Sequence, residues 1–235
     1  MSEGQIIVTG ASKGIGAGIA AELQRRGFAV VGLSRSGVCE AGYGVACDIT
    51  DETALKESIE AIAMRGPIIG LVNNAGLHEG KPSIELSAEQ FERIMRMNAT
   101  SVLVASREAQ PHLVAANGGL IVNIGSFFEH LGVVDNLAYC ASKAAVGAMT
   151  RCLATEWAAD GIRVLNVAPG YIETDLNRDF LARENVRQWI KKRIPIGRAG
   201  RVDEVARLVG ALFSENISFL TGETIVIDGG HGHNH

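Results

Sequence analysis

Cysteine, basic charge and long apolar runs are all scarce in this sequence of 235 residues. No apolar run reaches the roughly 18 residues of a membrane-spanning helix, so we expect no membrane partner. The formal net charge of −4 argues against a nucleic-acid or anionic-membrane binder, because such proteins need a basic surface. The first residues lack the basic start and apolar core of a signal peptide.

Two groups of metal-ligating residue types are present, and neither predicts a metal site. The cysteines form no C-x-x-C pair, which indicates neither a zinc site nor a redox motif, and reduced thiols in a cytoplasmic protein are the simpler interpretation. The chain ends in alternating histidines, His231, His233 and His235. Such a pattern can bind metal, but a terminus this short is usually disordered, so we expect no metal there. The cysteines are Cys39, Cys47, Cys140 and Cys152.

Short apolar runs alternate with longer helical patterns along the whole chain. The apolar runs predict strands at residues 5–9, 28–33, 44–47, 68–72, 119–124, 162–167 and 224–227. Helical periodicity predicts helices at 15–26, 51–64, 88–97, 100–115, 138–159, 179–193 and 202–213. The strands show no polar alternation, which indicates burial on both faces. We therefore expect one α/β domain over residues 1–235, a Rossmann-type doubly wound parallel sheet of about seven strands with helices on both faces.

A glycine-rich turn follows the first predicted strand and opens the first helix. Gly10, Gly14 and Gly16 have the spacing Gly-x-x-x-Gly-x-Gly. Glycines let the backbone turn sharply and approach a pyrophosphate, and the helix N-terminus offers unpaired N–H groups. A glycine triplet alone is weak evidence, but its place between a strand and a helix predicts a dinucleotide site.

The end of the second predicted strand indicates which dinucleotide binds. NAD-specific folds place an acidic side chain there for the ribose 2′-hydroxyl. This chain instead has Ser34, Arg35 and Ser36, and Arg35 offers a planar cation suited to a 2′-phosphate. Lys13, in the glycine turn, could supply a second cation. The cofactor is predicted to be NADP, with NAD left open as the alternative.

A tyrosine and a lysine four residues apart lie in a predicted helix and share one face of it. Tyr139 alone has a reference pKa of about 10, which is too high for it to act as a base near neutrality, because almost all of it is protonated there. The ammonium of Lys143 favours the phenolate and lowers that pKa. The pair can therefore act as general base in alcohol oxidation and as general acid in ketone reduction.

Ser126 follows the predicted strand 119–124, at the carboxyl edge of the sheet where doubly wound folds bind ligands. Its hydroxyl can donate to a carbonyl oxygen as negative charge develops there. Asn98 lies in or between two predicted helices, an unfavourable place unless its amide makes a specific bond.

These motifs together resemble the short-chain dehydrogenase/reductase family over essentially the whole chain. The matching segments are residues 9–16, 48–49, 73–76 and 169–174, together with Asn98, Ser126, Tyr139 and Lys143 at the positions of the family's catalytic tetrad. The resemblance implies that Asn98 holds a water linking Lys143 to solvent, and that Lys143 also holds the nicotinamide ribose. The cofactor contacts it implies are Gly10, Ser12, Lys13, Gly14, Ile15, Gly16, Ser34, Arg35, Ser36, Asp48, Ile49, Asn74, Ala75, Gly76, Tyr139, Lys143, Pro169, Gly170, Ile172 and Thr174.

The activity this implies is an NADP-linked carbonyl reductase or alcohol dehydrogenase acting on a small molecule. A 3-oxoacyl carrier-protein reductase is the alternative, and a non-catalytic cofactor-sensing protein is a remote one because the tetrad is intact. Carrier-dependent members place arginines near the active-site entrance. The aligned positions here are Asn117 and Asp160, so we favour a free substrate.

The remaining expectations concern the surroundings of the site. Residues 173–196 are expected to form a substrate lid, and the small-residue helix around Tyr139 is expected to join a homo-oligomer, a tetramer or a dimer. Glu129 and His130 either reach the substrate or lie in a solvated loop. The expected apolar pocket wall consists of Phe127, Phe128, Val133, Leu137 and Tyr171.

Overall fold

A seven-stranded parallel sheet forms the centre of the protein in a computed structural model, which describes residues 4–233. The strand order is β3-β2-β1-β4-β5-β6-β9, and all six pairings are parallel. The predicted doubly wound sheet is confirmed. The strands are β1 (Gln5–Thr9), β2 (Ala29–Ser34), β3 (Tyr43–Ala46), β4 (Ile68–Asn73), β5 (Gly119–Ile124), β6 (Ile162–Pro169), β7 (Ile172–Glu173), β8 (Gly200–Arg201) and β9 (Thr224–Ile227).

Helices cover both faces of this sheet. The α-helices are α1 (Gly14–Arg25), α2 (Glu52–Ala63), α3 (Ala88–Met95), α4 (Ser101–Ala115), α5 (Leu137–Trp157), α6 (Arg178–Leu181), α7 (Glu184–Arg193) and α8 (Val202–Ser214). One core cluster unites the sheet with α1 and α8, and a second unites it with α2, α4 and α5. Successive strand side chains point to opposite faces, so Ile6 and Ile7 are both fully buried, each in a different cluster. No helix formed by residues 4–233 has the length and apolar character needed to span a bilayer.

The strand order locates the ligand edge. The chain runs outward from β1 through β2 and β3 on one side, then returns to β4 and continues outward on the other side. In doubly wound sheets, the crevice for ligands opens at this reversal, outside the carboxyl ends of the strands. The residues that end β1, β4, β5 and β6 therefore border one site.

The secondary structure differs from the prediction in three segments. The single helix predicted at 179–193 is two helices, α6 and α7, because residues 182–183 are not helical. The pair β7 and β8, two residues each, was not predicted because such short strands carry no periodicity. Residues 96–100 form a π-helical turn between α3 and α4, and Asn98 lies within it. Such turns are frequent at functional sites.

The predicted disordered C-terminus is wrong for part of the segment. Residues 231–233 form a 3₁₀ turn, and the ring centroid of His231 lies 5.1 Å from that of Phe127. The histidine at position 235 lies outside the described residues. Within residues 4–233, no group of three histidine, cysteine or acidic side chains is placed to hold a metal ion.

Candidate active site

The four predicted catalytic residues come together at the carboxyl edge of the sheet. Ser126 lies two residues after the end of β5, and α5 passes beside it carrying Tyr139 and Lys143 on one face. Asn98 approaches from the π-helical turn. Ser126 is 7 % exposed, Lys143 5 % and Asn98 1 %. These polar side chains are therefore held in a largely water-excluded place, where hydrogen bonds and charges interact strongly.

The environment of the Tyr139 phenol differs from the expectation drawn from the sequence. Burial raises the pKa of Tyr139, and a hydrogen bond with Ser126 acts in the opposite direction. The Nζ atom of Lys143 lies 5.7 Å from the centroid of the Tyr139 ring. Lys143 is directed at a backbone carbonyl instead of at the hydroxyl, so the expected lowering of the Tyr139 pKa by Lys143 is not what this geometry gives.

Lys143 is the buried cation of the site. Its Nζ donates a hydrogen bond of 2.7 Å to the carbonyl oxygen of Ile124, the last residue of β5. Burial lowers the pKa of Lys143 to about 8, while the negative charge of Glu129 raises it. Lys143 therefore holds its proton less firmly than an exposed lysine does.

The amide of Asn98 makes the specific bonds that its position in the helix required. Its Oδ1 accepts from the backbone N–H of Leu77 at 2.7 Å, and its Nδ2 donates to the carbonyl of Leu77 at 2.8 Å. The same Nδ2 lies 3.0 Å from the Oγ of Ser142 on α5. Asn98 thus fastens the loop after β4 to α5, one turn away from Tyr139.

The glycine turn forms a cradle with the geometry a pyrophosphate needs. Gly10 and Gly14 have φ angles of 68° and 58°, which other residues rarely adopt. A Cβ on Gly16 would stand 2.3 Å from the carbonyl oxygen of Gly10, so only glycine permits this close turn. No acidic residue occupies the first turn of α1, and the Lys13 side chain does not cap its N-terminus. The positive end of the helix is therefore open to an anion.

The loops after β4 and β6 border this cradle. The Oγ1 of Thr9 accepts from the backbone N–H groups of Asn74 and Ala75 at 3.0 and 3.1 Å. The Nδ2 of Asn74 also donates to the carbonyl of Thr9 at 2.9 Å. On the opposite side, the Thr174 methyl lies 3.8 Å from the place a Gly14 Cβ would take. The predicted segments around Ile15, Gly76, Pro169, Gly170 and Ile172 all line the cavity that opens here.

The far end of the cradle carries the predicted cation. Arg35 is exposed directly after β2 and makes no hydrogen bond or ion pair in the part of the chain that the structure describes. Asp48 accepts from the backbone and hydroxyl of Thr50, which lowers its pKa, and the charge of Arg35 adds to this. The Ser34 hydroxyl is buried and bonds the carbonyl of Val38 at 3.2 Å, so it is already engaged. Ile49 is buried beside Asp48, whereas Ser12 and Ser36 are accessible.

A cavity of about 400 Å³ opens in front of Tyr139 and Ser126. Lys143 is the one lysine or arginine among its described lining residues, and no acidic side chain lines it. Apolar and aromatic side chains form its outer part: Leu77, Phe127, Phe128, Tyr171, Phe180 and Leu181. Of the predicted pocket wall, Phe127, Phe128 and Tyr171 are correct. Val133 and Leu137 do not line the cavity because they lie in and beyond the loop that leads away from it into α5.

An aromatic cluster closes the outer side of this cavity, and two of its members were not predicted. The Trp189 ring packs edge-on against Tyr171, with centroids 5.4 Å apart, and His231 lies 5.6 Å from Trp189. Trp189 belongs to α7 and His231 to the C-terminal turn. No local pattern indicated these contacts, because they depend on two segments meeting across the sheet edge.

His78 was also missed in the sequence. Its ring stands perpendicular to that of Tyr139 with centroids 4.7 Å apart, and its Nε2 lies 2.6 Å from the Oδ1 of Asn136. It lines the cavity and follows the predicted 73–76 segment by two residues, the one signal that could have found it.

Comparison with known proteins gives the family. The profile described as Enoyl-(Acyl carrier protein) reductase matches residues 10–232. Because the match covers nearly the whole chain, it is decisive. The chain belongs to the short-chain dehydrogenase/reductase family. As a member of this family it is an oxidoreductase, which confirms the class of enzyme predicted from the sequence.

Three relatives illustrate the range of short-chain dehydrogenases/reductases that resemble this one. Cis-4-hydroxycyclohexanecarboxylate dehydrogenase of Sinomonas cyclohexanicum is 38% identical, covering 96% of this chain and 95% of that protein. The 3-oxoacyl-[acyl-carrier-protein] reductase MabA of Mycobacterium tuberculosis is 35% identical, over 98% and 93% of the two chains. A crystal structure of gluconate 5-dehydrogenase from Burkholderia cenocepacia with NADP and tartrate has a TM-score of 0.92 at 29% identity, over 100% and 97%.

Two sequence-based expectations about this short-chain dehydrogenase/reductase need correction. Asn117 and Asp160 precede β5 and β6, so they lie at the amino edge of the sheet, opposite the catalytic edge of the same chain. They do not flank the cavity entrance there. The side chain of Glu129 is 1 % exposed and turns toward α5, so it neither lines the cavity nor lies in a solvated loop. The side chain of His130 is 60 % exposed, which agrees with the alternative that it faces solvent.

Proposed function

We propose that this chain is an NADP(H)-dependent oxidoreductase that interconverts a ketone and a secondary alcohol. The observation that carries the proposal is the position of the Tyr139 hydroxyl. It meets Ser126 in a largely apolar cavity that adjoins an open helix N-terminus, with the Arg35 cation at the far end. A bound nicotinamide supplies or accepts a hydride on the substrate carbon. The residues of this chain then bind the substrate oxygen and exchange a proton with it.

In reduction, Tyr139 donates its proton to the substrate oxygen, and in oxidation it takes the proton back. Burial favours the neutral phenol, which suits a proton donor. Ser126 hydrogen-bonds the same oxygen while negative charge develops on it. Lys143 supplies a positive charge 5.7 Å from the phenol ring, and Asn98 fixes the loop that borders both.

The same geometry supports NADP as the cofactor. The residues that would hold it are the glycine turn with Ser12, Lys13 and Ile15, the Asp48–Ile49 pair, the segment 74–76, Tyr139, Lys143, and Pro169, Gly170, Ile172 and Thr174. Arg35, with Ser36 beside it, would receive the 2′-phosphate. The similar Burkholderia structure contains NADP. NAD use remains the alternative, since a glycine cradle by itself serves either cofactor.

Arg35→Ala is expected to weaken NADPH binding by about 10- to 100-fold. A hydrogen bond to a charged group is worth about 1.5–3 kcal/mol, and 1.4 kcal/mol is tenfold in affinity. NADH lacks the phosphate, so its dissociation constant should change little. Both constants are measured for the wild type, for Arg35→Ala and for Arg207→Ala, an exposed arginine on α8 that serves as the control. Equal weakening of NADPH and NADH, or equal wild-type affinity for both, would rule out the 2′-phosphate site.

The cavity supports an uncharged, largely apolar substrate. Its outer wall is aromatic and aliphatic, and His78 is its one titratable side chain besides Tyr139, Lys143 and Tyr171 among the described lining residues. A substrate carboxylate would find only Lys143, which is already bonded to Ile124. Apolar walls with few polar groups are typical of sites for small hydrophobic molecules. Cyclic and aryl ketones are therefore the first substrates to test.

The alternative, a 3-oxoacyl carrier-protein reductase, is favoured by the similarity to the mycobacterial enzyme. We nevertheless expect a free ketone to be reduced at least as efficiently as a carrier-bound 3-oxoacyl group, because no arginine lines the described cavity. The test compares kcat/KM for a short 3-oxoacyl thioester, free and attached to its acidic carrier, with that for an aryl ketone. A large preference for the carrier-bound form would reverse this ranking.

Three further features belong to this proposal. Residues 173–196, which contain α6 and α7, act as the substrate lid, since Phe180 and Leu181 line the cavity and Trp189 packs against Tyr171 in its wall. The enzyme forms a homo-oligomer, a tetramer or a dimer, through α4 and α5, which expose Leu103 and the small side chains of Ala144 and Ala148.

The enzyme works in the cytoplasm, consistent with its four unpaired cysteines.

A further inference from the structure

A buried carboxylate lies behind the catalytic residues and has no role in the proposed reaction so far. Glu129 belongs to the 3₁₀ turn Phe127–His130 that follows Ser126, and its side chain is 1 % exposed. Its Oε2 accepts a hydrogen bond of 2.7 Å from the Nδ2 of Asn166 on β6. Its Oε1 lies 2.9 Å from the Nε2 of the exposed His130 and meets the geometry of a hydrogen bond with no described residue. A buried charge in this situation is costly unless an opposite charge compensates it.

Helix α5 is shaped to admit this carboxylate. Gly147 is a glycine in the helix interior, where it costs about 1 kcal/mol relative to alanine. A Cβ at Gly147 would stand 3.2 Å from the Oε1 of Glu129, so the glycine leaves the room that the carboxylate occupies. Lys143 precedes Gly147 by four residues and therefore lies on the same helix face, one turn away. The Oε1 of Glu129 thus lies beside the helix face that carries the buried ammonium of Lys143.

We propose that Glu129 is a positioning residue whose carboxylate serves as the buried counter-charge of Lys143 and keeps that lysine protonated during the reaction. The inference rests on the proposed function, in which Lys143 is a buried cation that lines the cavity and would help to hold the cofactor. Without a counter-charge, a lysine that is 5 % exposed would tend to lose its proton. Glu129 opposes this tendency and does not itself line the cavity.

The groups around Glu129 are an amide that holds it in place and a small number of titratable side chains. Asn166 also donates from Nδ2 to the Thr224 hydroxyl on β9 at 3.1 Å, so the amide is fixed between two strands. His130, on the same turn, places its Nε2 2.9 Å from the Oε1 of Glu129 and is 60 % exposed. From α5, Lys143, Tyr139 and Cys140 are the titratable groups near the catalytic end. Burial lowers the pKa of Lys143 to about 8, and Glu129 is the charge that raises it.

Glu129→Gln tests the proposal because it removes the charge and keeps the size and an oxygen that Asn166 can bond. We expect the pKa of Lys143 to fall by about one unit or more, as for other close opposite charges. The loss of ketone-reductase activity at high pH should then begin about one pH unit lower than in the wild type. Lysine labelled with ¹³C at Cε gives the same pKa by NMR, independently of activity. The chain has six lysines, and Lys143→Arg identifies the signal of Lys143.

Glu223→Gln is the matched control, since it neutralises an exposed carboxylate next to Thr224. Its activity as a function of pH and the pKa of its Lys143 NMR signal should match those of the wild type. An unchanged Lys143 midpoint in Glu129→Gln would overturn the proposal, whatever happens to stability. If Glu129→Gln does not fold, Glu129→Asp decides, because withdrawing the carboxylate by one methylene should move the midpoint the same way by a smaller amount. Absence of ketone turnover in the wild type would instead refute the proposed function. The NMR measurement of the Lys143 pKa would then still test the role of Glu129.

Discussion

Tyr139→Phe is expected to lower ketone-reductase turnover by about 10²–10⁴-fold, the usual contribution of a positioned proton donor. The substitution keeps the ring that packs against His78 and Phe128, at centroid distances of 4.7 and 5.9 Å. It removes only the hydroxyl that meets Ser126. NADPH affinity should therefore stay close to that of the wild type, so that the loss appears in kcat. Turnover is measured with saturating NADPH and an aryl ketone.

The control for this substitution is Tyr43→Phe, because Tyr43 lies on β3 at the far edge of the sheet and is 48 % exposed. It should change neither turnover nor NADPH affinity. Wild-type-like turnover in Tyr139→Phe would remove Tyr139 from the reaction. A loss confined to NADPH affinity would mean that the phenol acts in binding and not in proton transfer.

The sheet could be predicted from the sequence because each central strand is buried on both faces. Residues such as Ile6, Ile7 and Val8 are apolar in succession, and only a strand covered by helices on both sides hides all of them. The lid could not be predicted as well. Strands β7 and β8 have two residues each, and α6 has four, so tertiary contacts such as Tyr171 with Trp189 determine that segment.

The site shows the same division between local and long-range information. Ser126, Tyr139 and Lys143 could be singled out because they occupy recognisable places, such as Ser126 two residues after β5, and the family resemblance supplied Asn98. The orientation of Lys143 could not be predicted, since its hydrogen bond to the Ile124 carbonyl depends on how α5 packs against β5. Glu129 was placed in the wrong surroundings for a related reason. Its burial depends on Gly147 and Asn166, which are 18 and 37 residues away in the sequence.

Ser126→Ala is expected to lower kcat by about 10²–10³-fold, as for the removal of one donor to a developing oxyanion. The Oγ of Ser126 accepts a hydrogen bond of 3.2 Å from the backbone N–H of Phe128. This bond uses an acceptor site of the hydroxyl and leaves its proton free to donate toward Tyr139 or a substrate oxygen. Because Ser126 is buried, we expect no water molecule to take the place of its hydroxyl as a donor in the alanine variant.

Ser106→Ala supplies the control, since Ser106 is a fully buried serine that accepts a 3.0 Å hydrogen bond from Asn73 beneath the site. It should lower stability and leave the turnover of the folded enzyme near the wild-type value. A second measurement uses the double variant Ser126→Ala/Tyr139→Phe. If both hydroxyls act on the same substrate oxygen, the double variant should lose little more than Tyr139→Phe alone, because residues that act as a unit are strongly non-additive. Fully multiplicative losses would mean that Ser126 acts elsewhere than on that oxygen.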